Sequence, residues 1–209
     1  MKKKIILVSI ALILLIIAGV FINYLLSFKN VSFTLNSDVS SISIYKKDNY
    51  NSKKDPTKLT SSQSIRLQTG DYIIIPSGDK ISTNQIVTSI TKNTDIIINP
   101  DYSESYLKLL QPSTQIIINT ILTEKYPEII SNYKITNDSL YIKGEWYGGL
   151  LENKKSSDNS KKDVFRFIAH KDNGVWQLVS YPELVLNKNT YKTVPISIVN
   201  IVNSLLLTI

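Results

Sequence analysis

The hydrophobic pattern changes period twice along the chain. Behind Lys2, Lys3 and Lys4, the stretch from Ile5 to Leu26 carries no acidic or basic side chain. A helix over it, at about 1.5 Å per residue, is just over 30 Å long, which predicts a transmembrane signal anchor over residues 1–27. The run exceeds the roughly 7–15 apolar residues of a cleaved signal peptide, and no Ala-x-Ala-like site follows it. The lysines predict a single-pass helix in the bacterial cytoplasmic membrane with its N-terminus inside, so that everything after Leu26 is exported. Asn23 and Tyr24 fall at the outer interface.

From Val31 the period becomes two. Val31, Phe33 and Leu35 alternate with Ser32, Thr34 and Asn36, and Ile42 and Ile44 alternate with Ser41, Ser43 and Tyr45. Asn36-Ser37-Asp38 turns the chain between these half-buried strands. "DNYNSKKDPTK" reads as a polar loop. "SSQSIRLQT" is a third strand; Gly70-Asp71 then turns the chain into "YIIIP", and Ser77-Gly78-Asp79 turns it again. "NQIVTSIT" and "TDIIINP" complete about six short strands. Turn signals every 8–12 residues, with no helical period, predict a small antiparallel β-sandwich over residues 28–100.

Past Pro100 helical spacing appears. "DYSESYLKLLQPSTQIIINTILTEKYPEIISNY" reads as helices broken near Pro112 and Pro127, with Ser103 capping the first and Ser113 or Thr114 the second. Ile117, Ile118, Ile121 and Leu122 form the buried side. Strands follow in "YKITNDSLYIKGEWYGGLLE", where Asn137-Asp138 marks a hairpin turn and Gly148-Gly149 a bend, then in "DVFRFIAHK" and "VWQLVSYPELVL". Asn173-Gly174 between the last two is a strong hairpin signal. "PISIVNIVNSLLLTI" places Ile198, Ile201, Val202 and Leu205 on one helical face. Residues 101–209 therefore read as an α+β module, helices packed on a bent antiparallel sheet. The fold class is α+β throughout.

Leu67, Gly70, Tyr72, Ile74 and Gly78 stand as a hydrophobic, a Gly-x-Tyr, an alternating apolar and a further glycine. In this respect residues 31–100 resemble the PEGA domain, a small β-sandwich of bacterial surface proteins. The Pro-Glu-Gly-Ala signature is not present; Asn36-Ser37-Asp38-Val39 occupies its place. A generic immunoglobulin-like sandwich fits the same pattern, and either implies a spacer or binding module. The element order of residues 101–209 looks like that of cystatin-like or nuclear-transport-factor-like cones, by analogy of order alone. Such cones can hold a pocket between sheet and helix, which makes Trp146, Tyr147, Phe165 and Phe167 candidate lining residues, with Trp176 beside them; the alternative is that these aromatics form the core.

Composition narrows the chemistry. The chain has 209 residues, no cysteine, one histidine and a formal net charge of +7. Disulfides, thiolate metal sites and cysteine nucleophiles are excluded. Three of the charges are Lys2 to Lys4; the others are scattered or sit in loops such as Lys53-Lys54 and Lys161-Lys162, without interleaved aromatics, so no nucleic acid partner is expected. His170 precedes the Asn173-Gly174 turn and belongs to no Ser-His-Asp set. No His/Asp/Glu spacing for a metal and no phosphate-cradling glycine loop appear. Catalytic, metal and cofactor residues are accordingly none. The expected function is a non-enzymatic, membrane-anchored envelope protein whose exported modules space or bind. Its partners are the membrane and an envelope polymer or another surface protein. The alternative is an anchored hydrolase of wall glycans using Glu145 or Glu183.

Overall fold

A computed structural model describes residues 2–52, 56–154 and 163–206, and the side chains of these except 2–11 and 52. The loops around Lys53-Lys54 and Lys161-Lys162 lie outside the described residues. The chain divides into two compact units, residues 1–100 and 101–209.

The first unit begins with helix α1, Lys2–Leu26, 25 residues long. Among the described residues no helix is long and apolar enough to cross a membrane. This corrects the single-pass transmembrane anchor expected from the sequence. The described apolar side chains of α1 run from Leu12 to Leu26. They are exposed all round the helix rather than along one stripe.

Ser27 alone separates α1 from the first strand. Seven strands follow: β1 (Phe28–Leu35), β2 (Ser41–Lys46), β3 (Thr57–Leu59), β4 (Gln63–Gln68), β5 (Gly70–Ser77), β6 (Ile86–Ile90) and β7 (Thr94–Ile98). They form two sheets, ordered β4-β1-β7 and β3-β2-β5-β6. The wholly antiparallel pairing expected from the sequence is not found, because β1 and β7 pair in parallel, Val31 with Thr94 through Leu35 with Ile98. The supposed polar loop after Lys46 contains a 3-10 helix, Lys47–Ser52, and the short strand β3. Alternation sends Val31, Phe33, Ile42, Ile44, Leu67, Tyr72, Ile74, Ile90 and Ile98 into the core, each large apolar side chain contributing about 1.5–3 kcal/mol by leaving water.

Gly70 explains how β4 reaches β5. These strands belong to different sheets, and Thr69 is the single residue between them. Gly70 takes φ 147°, which a side chain at Cβ would resist, so the chain crosses from one sheet to the other in one step. The turn read there is thus an inter-sheet corner rather than a hairpin.

The second unit has helices α2 (Glu104–Lys125) and α3 (Pro127–Asn132), strands β8 (Tyr133–Tyr141), β9 (Trp146–Asn153), β10 (Val164–Asp172) and β11 (Val175–Leu178), and helix α4 (Ile196–Ser204). The strands form one antiparallel meander, β11-β10-β9-β8. Ser103 caps α2, its hydroxyl accepting from Tyr106 N–H at 3.3 Å. The break expected near Pro112 does not occur; α2 runs through it. Pro112 sits on the exposed side, where the loss of its N–H costs least. The hydroxyls of Ser113 and Thr114 both donate to the Leu110 carbonyl beside it, at 2.9 and 3.1 Å, a local back-bonding of side chain to helix carbonyl.

Asn137-Asp138 is not a hairpin turn either. β8 continues through it as a bulge between Thr136 and Ser139, with Asn137 at φ 50°. The hairpin follows at Ile142, Lys143 and Gly144. Asn173-Gly174 does turn β10 into β11, with φ 48° and 84°, both positive as a two-residue hairpin loop requires.

The sheet has a core on each face. Ile118 and Leu122 of α2 pack with Leu140, Tyr147, Leu151, Phe167 and Trp176 on one side. Ile198, Val199 and Val202 of α4 pack with Trp146, Ile168, Leu186, Tyr191 and Val194 on the other. The layers come close at Gly148, where any Cβ would overlap Cγ2 of Val202. At Gly149 a Cβ would lie 2.8 Å from Cβ of Asp138, against the bulge. The two glycines let a fully buried strand accept a helix on one face and a bulge on the other.

Candidate functional site

Two hairpin tips lie side by side at one end of the second unit's sheet. The turn after β8 supplies Lys143, Gly144 and Glu145; the end of β10 and its turn supply His170, Lys171, Asp172, Asn173 and Gly174. Between them is an open groove of about 540 Å³. The Glu145 carbonyl accepts the Lys171 N–H at 2.7 Å, which ties the two tips together.

The groove's backbone is unusual. Ile142, Lys143 and Gly144 have φ 43°, 54° and 71° in succession, and Asn173 and Gly174 are also left-handed. Isoleucine is β-branched, and its presence there stores about 1–3 kcal/mol of strain. Two bonds hold the turn: Gly144 N–H donates to Tyr141 O at 3.1 Å and Glu145 N–H to Ile142 O at 3.0 Å.

His170 forms the inner wall. It pairs with Trp146 across β10 and β9, and its imidazole stacks on the indole with centroids 4.1 Å apart and planes 28° from parallel. Trp146 is 8% exposed and belongs to the α4-side core. Its face is covered, so it offers no platform for a sugar ring.

The four candidate lining residues are not gathered around one pocket. Tyr147 and Phe167 are fully buried in the α2-side core with Phe165 packed against it, while Trp146 lies on the other face. Neither of the two cavities described in this unit is lined by any of them. Trp176 is likewise buried in the α2-side core. Strand alternation alone separates Trp146 from Tyr147, since neighbours point to opposite faces.

Glu145 lines the groove; Glu183 does not. Glu183 bridges Arg166 through the backbone, and its Oε1 accepts the Tyr191 hydroxyl at 2.6 Å. Arg166 and Lys171, which fix the two glutamates against β10, are five positions apart, about 16 Å along a strand. A glycosidase pair needs carboxylates about 5–9.5 Å apart. Among the described residues no group of three or more His, Asp or Glu could hold a metal ion.

A second polar cluster, missed in the sequence, lies between α2 and β8. The Tyr147 hydroxyl donates to Asp138 Oδ2 at 2.5 Å. Gln111 donates to the same oxygen at 2.9 Å and to the Asp138 carbonyl at 2.7 Å, and Gln115 donates to Oδ1 at 3.1 Å. Burial, then the bond to Asp138, hold the Tyr147 phenol protonated well above the ordinary tyrosine range. The i, i+4 spacing of Gln111 and Gln115 on a helix was the available signal. A second cavity beside this cluster, about 320 Å³, is lined by Gln115, Ile116, Asn119, Thr120 and Ile135.

No family model matches this sequence, and no curated protein does. Among solved structures it is similar to a DUF3823 family protein from Parabacteroides merdae, at 9% identity and a TM-score of 0.27, over 73% of this chain and 95% of that one. A DUF3823 family protein from Bacteroides ovatus is similar at 10% identity and a TM-score of 0.29, over 74% and 96%. At such scores the likeness carries no weight for fold or function.

Proposed function

We propose that the chain is a non-enzymatic protein of the bacterial envelope, its first unit a PEGA-like spacer and its second a binding unit. The observation that carries this reading is the separation of the acid–base candidates. Glu183 is spent on Tyr191, His170 is stacked on Trp146, and Glu145 stands about 16 Å along β10 from the Glu183 bridge. Proton transfer on both sides of a scissile bond requires such groups to converge. The spacer half is supported by Leu67, Tyr72 and Ile74 pointing inward around the Gly70 corner, the roles the PEGA pattern gives them. The partner is an envelope polymer or another surface protein.

Two measurements test it. External protease applied to intact cells digests the protein if it is displayed outside, and full protection would overturn the location. The purified chain is expected to show no turnover of peptidoglycan or glycan panels. Turnover that Glu145→Gln abolishes would replace the binding reading with a hydrolase.

A further inference from the structure

We propose that the groove between the two hairpin tips binds a small zwitterion, a ligand presenting one ammonium and one carboxylate a few ångströms apart, such as a free amino acid or short peptide. This deepens the reading of the second unit as a binding unit and rests on it.

The lining decides the class. Lys171 brings an ammonium group, and Glu145 and Asp172 bring two carboxylates. A polyanion would meet the carboxylates and a polycation the ammonium, whereas a ligand carrying both signs can satisfy each. The lining is polar and charged, so an apolar ligand gains little by entering. A sugar would seek an open aromatic face, and the Trp146 face is already covered by His170. The volume, about 540 Å³, lies within the range of small-ligand sites. Independently of the charges, Ile142 is held left-handed at the groove's edge. Backbone strain of that kind collects where a site needs a fixed shape. The Glu145–Lys171 backbone bond joins the two tips, so the groove's two walls are held together before a ligand arrives.

The chain holds a single histidine, so one imidazole resonance reports on the groove without ambiguity. The full chain is titrated with alanyl-alanine, its N-acetylated form and its C-amidated form at low ionic strength while that resonance is followed. The free dipeptide is expected to shift it saturably, and each blocked form to bind about tenfold more weakly, the loss of one charge-assisted contact. Glu145→Gln should weaken the free dipeptide and leave the amine-blocked form unchanged. A resonance unmoved by the free dipeptide overturns the site. Equal binding of the blocked forms overturns the zwitterion class. Both readouts use the unmodified chain, so neither depends on a variant that folds. Failure here leaves the protease and turnover tests standing, so it is distinguishable from failure of the envelope reading.

Discussion

The hydroxyl of Tyr72 donates to the backbone carbonyl of Gln68 at 2.8 Å, across the corner where the chain passes between the two sheets of the first unit. Tyr72 is otherwise buried, and burial raises its phenol above the ordinary tyrosine range. The arrangement is that of a tyrosine corner, which immunoglobulin-like sandwiches place at the same kind of crossing. Tyr72→Phe keeps the ring and removes the donor. It should destabilise the chain by about 1–3 kcal/mol, the cost of an unmet buried acceptor. Denaturant melts of the two proteins measure it; coincident curves would show that the bond contributes nothing.

Gly148 and Val202 should be energetically coupled. Gly148→Ala introduces a methyl where Val202 Cγ2 already sits, and overpacking of this sort costs about 1–3 kcal/mol. Val202→Ala removes the obstructing atom. The double variant should be more stable than the sum of the single effects implies, by about 0.5–3 kcal/mol. Additivity within error would mean that α4 shifts freely over the sheet.

Asp138 should matter more than an exposed carboxylate. Asp138→Ala strips the Tyr147 hydroxyl, Gln111 and Gln115 of their shared acceptor. The buried phenol then has no partner, and about 1–3 kcal/mol of stability is expected to go with it. Adding Tyr147→Phe to that variant should recover part of the loss, because the orphaned hydroxyl is gone. Thermal melts of the single and double variants decide the point.

Stability should fall in alkali. Tyr147 is held protonated by burial and by Asp138, and Tyr191 is pushed up to about 12 by burial and by its bond to Glu183, both from an ordinary value of 10.0. Above about pH 10 the unfolded chain releases these protons while the folded chain keeps them. The unfolded state then binds fewer protons, so stability declines as pH rises. The Tyr191 contribution is complete below about pH 10 and is lost by about pH 12. Urea midpoints measured across this window should drop, and Tyr191→Phe should flatten the drop. A midpoint independent of pH there would remove both assignments.

The legible parts of the sequence were those in which a local rule had no rival. Asn173-Gly174 suits a left-handed two-residue turn and little else, and β10 and β11 flank it as read. Asn137-Asp138 carries nearly the same chemistry, yet Asn137 spends its positive φ on a bulge inside β8. Only tertiary packing, the Gly149 backbone and the α2 glutamines closing on Asp138, separates the two outcomes. Pro112 misled for a similar reason: it forbids one hydrogen bond, and a long helix with a packed face tolerates that loss on its solvent side. β-branched residues in α2 sort by burial rather than by propensity, with Ile118 inside and Ile117 46% exposed. The groove was not legible. Its residues come from two turns about thirty positions apart in sequence, and only the pairing of β9 with β10 brings Glu145 to His170. Nothing local in the sequence links His170 to Glu145. The aromatic quartet is divided by a rule already visible in it, that Trp146 and Tyr147 are adjacent on a strand and so face opposite cores.

Ser27 is the whole connection between α1 and β1. Its N–H donates to Asn23 O at 3.0 Å, its hydroxyl to Tyr24 O at 2.6 Å, and its carbonyl accepts the Thr69 N–H at 2.7 Å. The Phe28 ring meets Tyr24 edge-on at 5.2 Å, with the Arg66 guanidinium 5.6 Å from its centroid. A joint tied on both sides resists bending, so a displacement of α1 would strain those ties. Its 25 residues reach about 37 Å. A tilt of about 10° at the joint would carry the far end through about 6 Å of arc, by that length. Load applied to the tip is therefore delivered, multiplied by the arm, to the few bonds at the Thr69 corner.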